Sequence, residues 1–222
     1  MTPAVSPPRG SLSLIDLGSL LFLGAVWGAV FLFLRVAAPQ VGPVWAAEIR
    51  LAIGAAVLVA IAGRQTLAAA GGRIATFVVV GAMFSAVPFT FISFATLTLP
   101  AGFAALLNAA TPLFTALVGA AFLGSRLGPR VVAGLGVGVA AVVFLVGWSP
   151  LEPNATTILA VAAGLGAPAS YAIAGNYTRA KMAGVPPLEL ATGMLVAGAL
   201  VALPVALLTG PRARRRPTGL CR

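Results

Sequence analysis

Residues 31–52, FLFLRVAAPQVGPVWAAEIRLA, decide the architecture. Two apolar runs flank a short break carrying Pro and Gly, and three ionisable groups, Arg35, Glu48 and Arg50, lie close to it. Extended in both directions, the runs cover residues 15–36 and 44–62. Each approaches the roughly 20 apolar residues that a helix needs to cross a bilayer. The first is too long for a signal-peptide core. Similar stretches follow near 74–97, 101–123, 130–148, 156–178 and 187–209. The expected fold class is therefore an all-α polytopic membrane protein with about seven transmembrane helices.

Composition points the same way. The chain has 222 residues, of which 60% are hydrophobic and 8% charged, against about 45–50% apolar and about 25% charged in soluble domains. Its 26 glycines suit helices that approach closely in lipid. The net charge of +10 does not imply a nucleic-acid partner, because the basic residues sit between apolar stretches or in the tail and form no basic face. With one cysteine, Cys221, and no histidine, neither an internal disulfide nor a metal site is expected, and no cofactor is implied. An enzyme is not expected, since the spans hold almost no acid/base pair.

The loops set the orientation. With the amino terminus cytoplasmic, the loops on that side carry Arg64, Arg73, Arg126, Arg130, Arg179 and Lys181, and the amino-terminal tail carries Arg9. The opposite loops hold no Lys or Arg, in keeping with the positive-inside rule. The tail from Pro211 breaks this pattern: seven spans place it outside, yet it carries Arg212, Arg214, Arg215, Arg216 and Arg222. It resembles GC-rich sequence read out of frame, or else a basic segment for phospholipid head groups. The expected division is a disordered tail over 1–13, a first five-helix unit over 14–148, a partial second unit over 149–209, and the basic tail over 210–222.

That division rests on an internal repeat. Shifted by 144 residues, Trp27 falls on Tyr171, Arg35 on Arg179, Pro43 on Pro187, Leu51 on Leu195 and Gly54 on Gly198. Repeats mark architecture, and an odd number of helices per unit inverts the second unit relative to the first. Inverted repeats are the scaffold of many secondary transporters, which hold substrate near the midplane between them.

Several stretches resemble one known family. LGAVWGAVFLFLRVAAPQVGPVWAAEIRLAIGAA (23–56) resembles the opening of the EamA domain of the drug/metabolite transporter superfamily. The stretch 97–147, beginning LTLPAGFAALLNAATPLF, resembles its fourth and fifth helices. SYAIAGNYTRAKMAGVPPLELATGMLVAGAL (170–200) resembles the start of a second such domain, here cut after two helices. Where the family usually shows Gly-Glu-Arg-Leu, this chain has Gly124-Ser125-Arg126-Leu127. The resemblance implies a multi-pass permease of the bacterial inner membrane that moves small metabolites or drug-like solutes, often outward. The alternatives are a non-transporting membrane subunit, which could act as a homodimer, and an inactive truncated fragment.

Candidate site residues follow from polarity at depth. An ionisable group costs about 2.5–3.5 kcal/mol at the bilayer centre and less near its edge. Arg35, read in the last turn of the first span, is expected to snorkel or to pair with Glu48 across the loop. Alternatively, Arg50 binds an anionic substrate group and Glu48 is a coupling site for protons or cations. Pro88, Pro112, Pro168 and Pro204 fall inside spans, and each removes the bond to the carbonyl four residues earlier. Asn108 and Thr111, beside Pro112, and Ser85, near Pro88, are the candidate cavity lining, against ordinary kinks with locally satisfied groups. Trp27 and Tyr171, equivalent in the repeat, either flank that cavity or simply pack. Trp45 and Trp148 fit an interface belt, and the Gly134–Gly138 spacing fits close helix packing.

Overall fold

The computed structural model describes residues 13–124, 127–147, 152 and 154–211, and within these the side chains of 64–71, 123, 145 and 146 are left aside. Ser125, Arg126, Trp148, the amino-terminal tail with Arg9, the basic tail from Arg212 with Cys221, and the Arg64 side chain lie outside the described residues. The described residues form helices and no strand: α1 Leu14–Val41, α2 Pro43–Ala69, α3 Ile74–Gly81, α4 Val87–Thr98, α5 Ala101–Asn108, α6 Thr111–Leu123, α7 Pro129–Gly147, α8 Ala155–Lys181 and α9 Pro187–Thr209. A one-turn 3₁₀ segment, Ala70–Arg73, precedes α3, and a π turn, Ala82–Ala86, joins α3 to α4. Among the described residues six runs are long and apolar enough to span a bilayer: Leu14–Val41, Pro43–Gly63, Ile74–Thr98, Ala101–Phe122, Ala155–Lys181 and Pro187–Thr209. α7 is a shorter apolar helix. This is the all-α polytopic membrane architecture expected of the composition.

Local chemistry sets the ends. Ser13 and Asp16 form a reciprocal capping box at the start of α1, and the Asn154 side chain accepts from Thr157 N–H at the start of α8. Gly63 takes φ +74°, ending the spanning part of α2 at a kink that a side chain would strain. α1 is longer than its hydropathy predicts. It continues through Pro39 to Val41, leaving Gly42 alone before α2, so Arg35 lies inside the helix rather than in its last turn.

α2 packs on α9, α3 also on α9, and α4 and α6 on α8, while α1 covers α2, α4 and α5. Glycine allows the tightest of these approaches. A Cβ on Gly81 would stand 2.6 Å from Gly198 N and 2.8 Å from Met194 O, so the α3 and α9 backbones touch there. The GxxxG spacing in α7 does not act as a pair. Gly138 receives the Leu113 side chain, whereas Gly134 meets nothing within 4 Å.

Candidate functional site

α2 carries Glu48 and Arg50 into the core, about 8–10 Å from its start at 1.5 Å per residue. Glu48 is 5% exposed, in a helix wall with Ala46, Ala47 and Leu51, and its Oε2 has no hydrogen-bond partner among the described residues. Arg50 turns to the other side and lays its guanidinium over the Phe89 ring, 3.8 Å from the centroid, a desolvated cation–π contact. Arg50 and Tyr171 lie close enough to interact electrostatically. Tyr171 is buried, meets Phe84 edge-on at 5.4 Å, and leaves its hydroxyl unbonded. α2, the π turn, α4 and α8 thus bring into one core a carboxyl group with an unbonded oxygen, a stacked guanidinium and a phenol without a hydrogen-bond partner among the described residues.

The expected Arg35–Glu48 pair is replaced by another arrangement. Arg35 Nη1 donates to Thr96 O at 2.8 Å and to Leu99 O at 3.2 Å. α4 ends at Thr98 and is followed by Pro100, whose nitrogen has no hydrogen for Thr96 O. The guanidinium, carried beside that end by the extended α1, covers the exposed carbonyls and complements the negative pole of the helix.

Pro88 acts through a register change. Val87 N–H bonds Ala82 O, five residues back. The next carbonyl in that register, Met83 O, faces only the proline, and Ser170 Oγ on α8 donates to it at 2.6 Å. Ser85, in the same turn, is buried, and a Cβ on Gly198 would stand 2.8 Å from its own. At Pro112 the satisfaction is local: Thr111 Oγ1 donates to Asn108 O at 2.7 Å. α5 ends at Asn108, so the fourth span is broken there, and Asn108 Oδ1 is buried without a partner among the described residues.

A second feature lies between α6 and α8: a cavity of about 440 Å³ lined by Thr111, Thr115, Asn176 and Arg179 with small apolar neighbours. Of the candidate lining residues, Thr111 borders it; Asn108 and Ser85 do not. Trp27 is 54% exposed, unlike Tyr171, on which it falls when the sequence is shifted by 144 residues, because the inward face of α1 is Phe31, Leu34 and Ala38. Sequence reasoning passed over Ser170, Asn176 and Thr115. The signal available was that α8 places Ser170 and Asn176 in an otherwise apolar helix.

No curated protein matches the chain. The model of the EamA-like transporter family matches residues 17–147. That interval exceeds half of the chain and runs from the first turn of α1 to the end of α7, including Glu48, Arg50 and the π turn. On a scaffold of apolar helices long enough to cross a bilayer, the chain belongs to the EamA-like transporter family.

Proposed function

We propose that the protein is a permease that exports small metabolites or drug-like solutes by alternating access, in the bacterial inner membrane with its amino terminus cytoplasmic. The 144-residue repeat supports an inverted pair of units, the second partial, whose relative rocking would expose the core to each side in turn. Arg50, Tyr171 and Ser85 border the substrate path, and Trp27 faces outward as a packing or lipid contact. Glu48 is the coupling residue.

The observation that carries this reading is Glu48 itself: a 5% exposed carboxyl group with an unbonded oxygen. A buried ionisable group without a partner is costly and is characteristic of ion and proton pathways. Proteoliposomes containing a pH-sensitive dye test it. Solutes from a metabolite panel should drive proton movement with the native protein, and Glu48→Gln should abolish the proton movement while leaving solute binding measurable. Solute-driven proton flux that persists in Glu48→Gln removes the residue from coupling.

A further inference from the structure

The α6/α8 cavity has a polarity that runs along its length. α6 and α8 travel in the same direction, so Thr111 marks the inner end, and Gly119, Leu127 and Arg179 mark the end nearest the loops. Thr111 and Gly119 are eight residues apart, about 12 Å at 1.5 Å per residue.

Hydrogen-bond valence defines what the inner wall offers. Thr111 Oγ1 spends its hydrogen on Asn108 O and Thr115 Oγ1 spends its own on Thr111 O. Asn176, 4% exposed, donates its amide to Ala172 O at 2.9 Å and to Thr115 O at 3.3 Å. With these hydrogens committed, the threonine oxygens present lone pairs. The inner wall therefore accepts hydrogen bonds and donates few.

The mouth is different. Arg179, in the last turn of α8, is exposed and makes no hydrogen bond or ion pair among the described residues. Its repeat counterpart Arg35 is occupied by two backbone carbonyls. A guanidinium offers five donors in a fork that matches oxyanions, and the volume falls within the range of small-molecule sites.

We propose that this cavity binds a small soluble oxyanion carrying hydroxyl groups, with its charge at Arg179 and its hydroxyls donating to Thr111 and Thr115. A phosphate or carboxylate head fits the guanidinium, and a polyol end supplies the hydrogens that the inner wall lacks. A phospholipid head group shares the phosphate chemistry, but its hydroxyls point toward water rather than inward. The inference is independent of transport, because binding is read on the solubilised chain.

Glycerol 3-phosphate is the probe, titrated calorimetrically into the full chain in neutral detergent, with inorganic phosphate and glycerol as comparisons. Glycerol 3-phosphate should bind more tightly than either. Arg179→Gln should raise its Kd at least about tenfold, the effect of losing a charge-assisted contact. Thr115→Val should erase the preference over inorganic phosphate, and Arg130→Gln, outside the cavity, should change nothing. No binding, or binding undiminished in Arg179→Gln, overturns the proposal. So does Arg179-dependent retention of phosphatidylglycerol, seen by native mass spectrometry, without binding of glycerol 3-phosphate. Loss of proton coupling in Glu48→Gln with this binding intact would separate the two sites.

Discussion

Arg35 is visible in the sequence as a charge among apolar residues, but its partners are not. They lie 61 and 64 residues away and are backbone atoms, exposed by the end of α4 and the missing hydrogen of Pro100. Side-chain chemistry favours the nearest carboxylate, Glu48, and nothing in the local sequence reveals a competing carbonyl pair. Arg35→Gln should lower the stability of the solubilised protein by about 1–2 kcal/mol, at the low end for charged hydrogen bonds because the side chain is itself exposed. Thermal unfolding in detergent measures it. Glu48→Gln should leave that transition in place or raise it, since it removes a buried unpaired charge without breaking a partner. Equal destabilisation by the two substitutions would instead restore the Arg35–Glu48 pair. Arg50 and Glu48 were legible as site candidates for the same reason as Arg35: charge at depth is rare. Ser170 and Asn176 were not, because a small polar residue in a Gly- and Ala-rich helix is indistinguishable from one that merely allows close packing.

Among elements, hydropathy located six of the seven expected spans to within about five residues, since the bilayer imposes their length, whereas the stretch near 130–148 is the shorter helix α7. It could not locate the π turn, because a register change inside a helix leaves the apolar pattern intact. Pro88 was legible as a perturbation, though the carbonyl that a side chain takes over is Met83 O, five residues back, and not the one four residues back that an unbroken α-helix predicts. Ser170→Ala should strand Met83 O at a cost of about 1–3 kcal/mol, the range for an unsatisfied buried acceptor. Pro88→Ala returns an N–H to this turn, so the double substitution should cost less than the sum of the single ones in a thermodynamic cycle. Strict additivity would show that the hydroxyl and the proline act separately. The α3/α9 contact gives a sharper outcome. Gly81→Ala puts a methyl group 2.6 Å from Gly198 N and 2.7 Å from the Ala197 Cβ. Backbone cannot rotate away as a side chain can, so the helices must part, with an overpacking cost of at least about 1–3 kcal/mol. Gly24→Ala, with nothing within 4 Å, should unfold at or above the native temperature, as helix propensity alone predicts.

For the whole molecule, the number of crossings turns on α7. It is 19 residues long, about 28 Å at 1.5 Å per residue, against a hydrocarbon core of about 30 Å. A slight bilayer thinning or residues beyond its ends would close that gap at a fraction of a kcal/mol per Å. Charge decides between crossing and lying in the interface. If α7 crosses, Arg73, Arg130, Arg179 and Lys181 all fall on one side. If it does not, α8 must run against the fourth span, contrary to the parallel packing in which Leu107 meets Gly164 and Thr115 meets Asn176, and Arg179 and Lys181 move to the side that otherwise lacks Lys and Arg. Between Gln40 at the end of α1 and Ala183 after α8 lie α2, the α3–α4 span, the α5–α6 span, α7 and α8. That is five crossings with α7 and four without it. In a Cys221→Ser background, Gln40→Cys should react with a membrane-impermeant maleimide on intact cells, and Ala183→Cys only on inside-out vesicles. Labelling of both from the same side would take α7 out of the bilayer. It would also remove the odd count of helices on which the inverted repeat depends, because an even unit repeats in parallel and leaves Arg35 and Arg179 on the same side of the membrane.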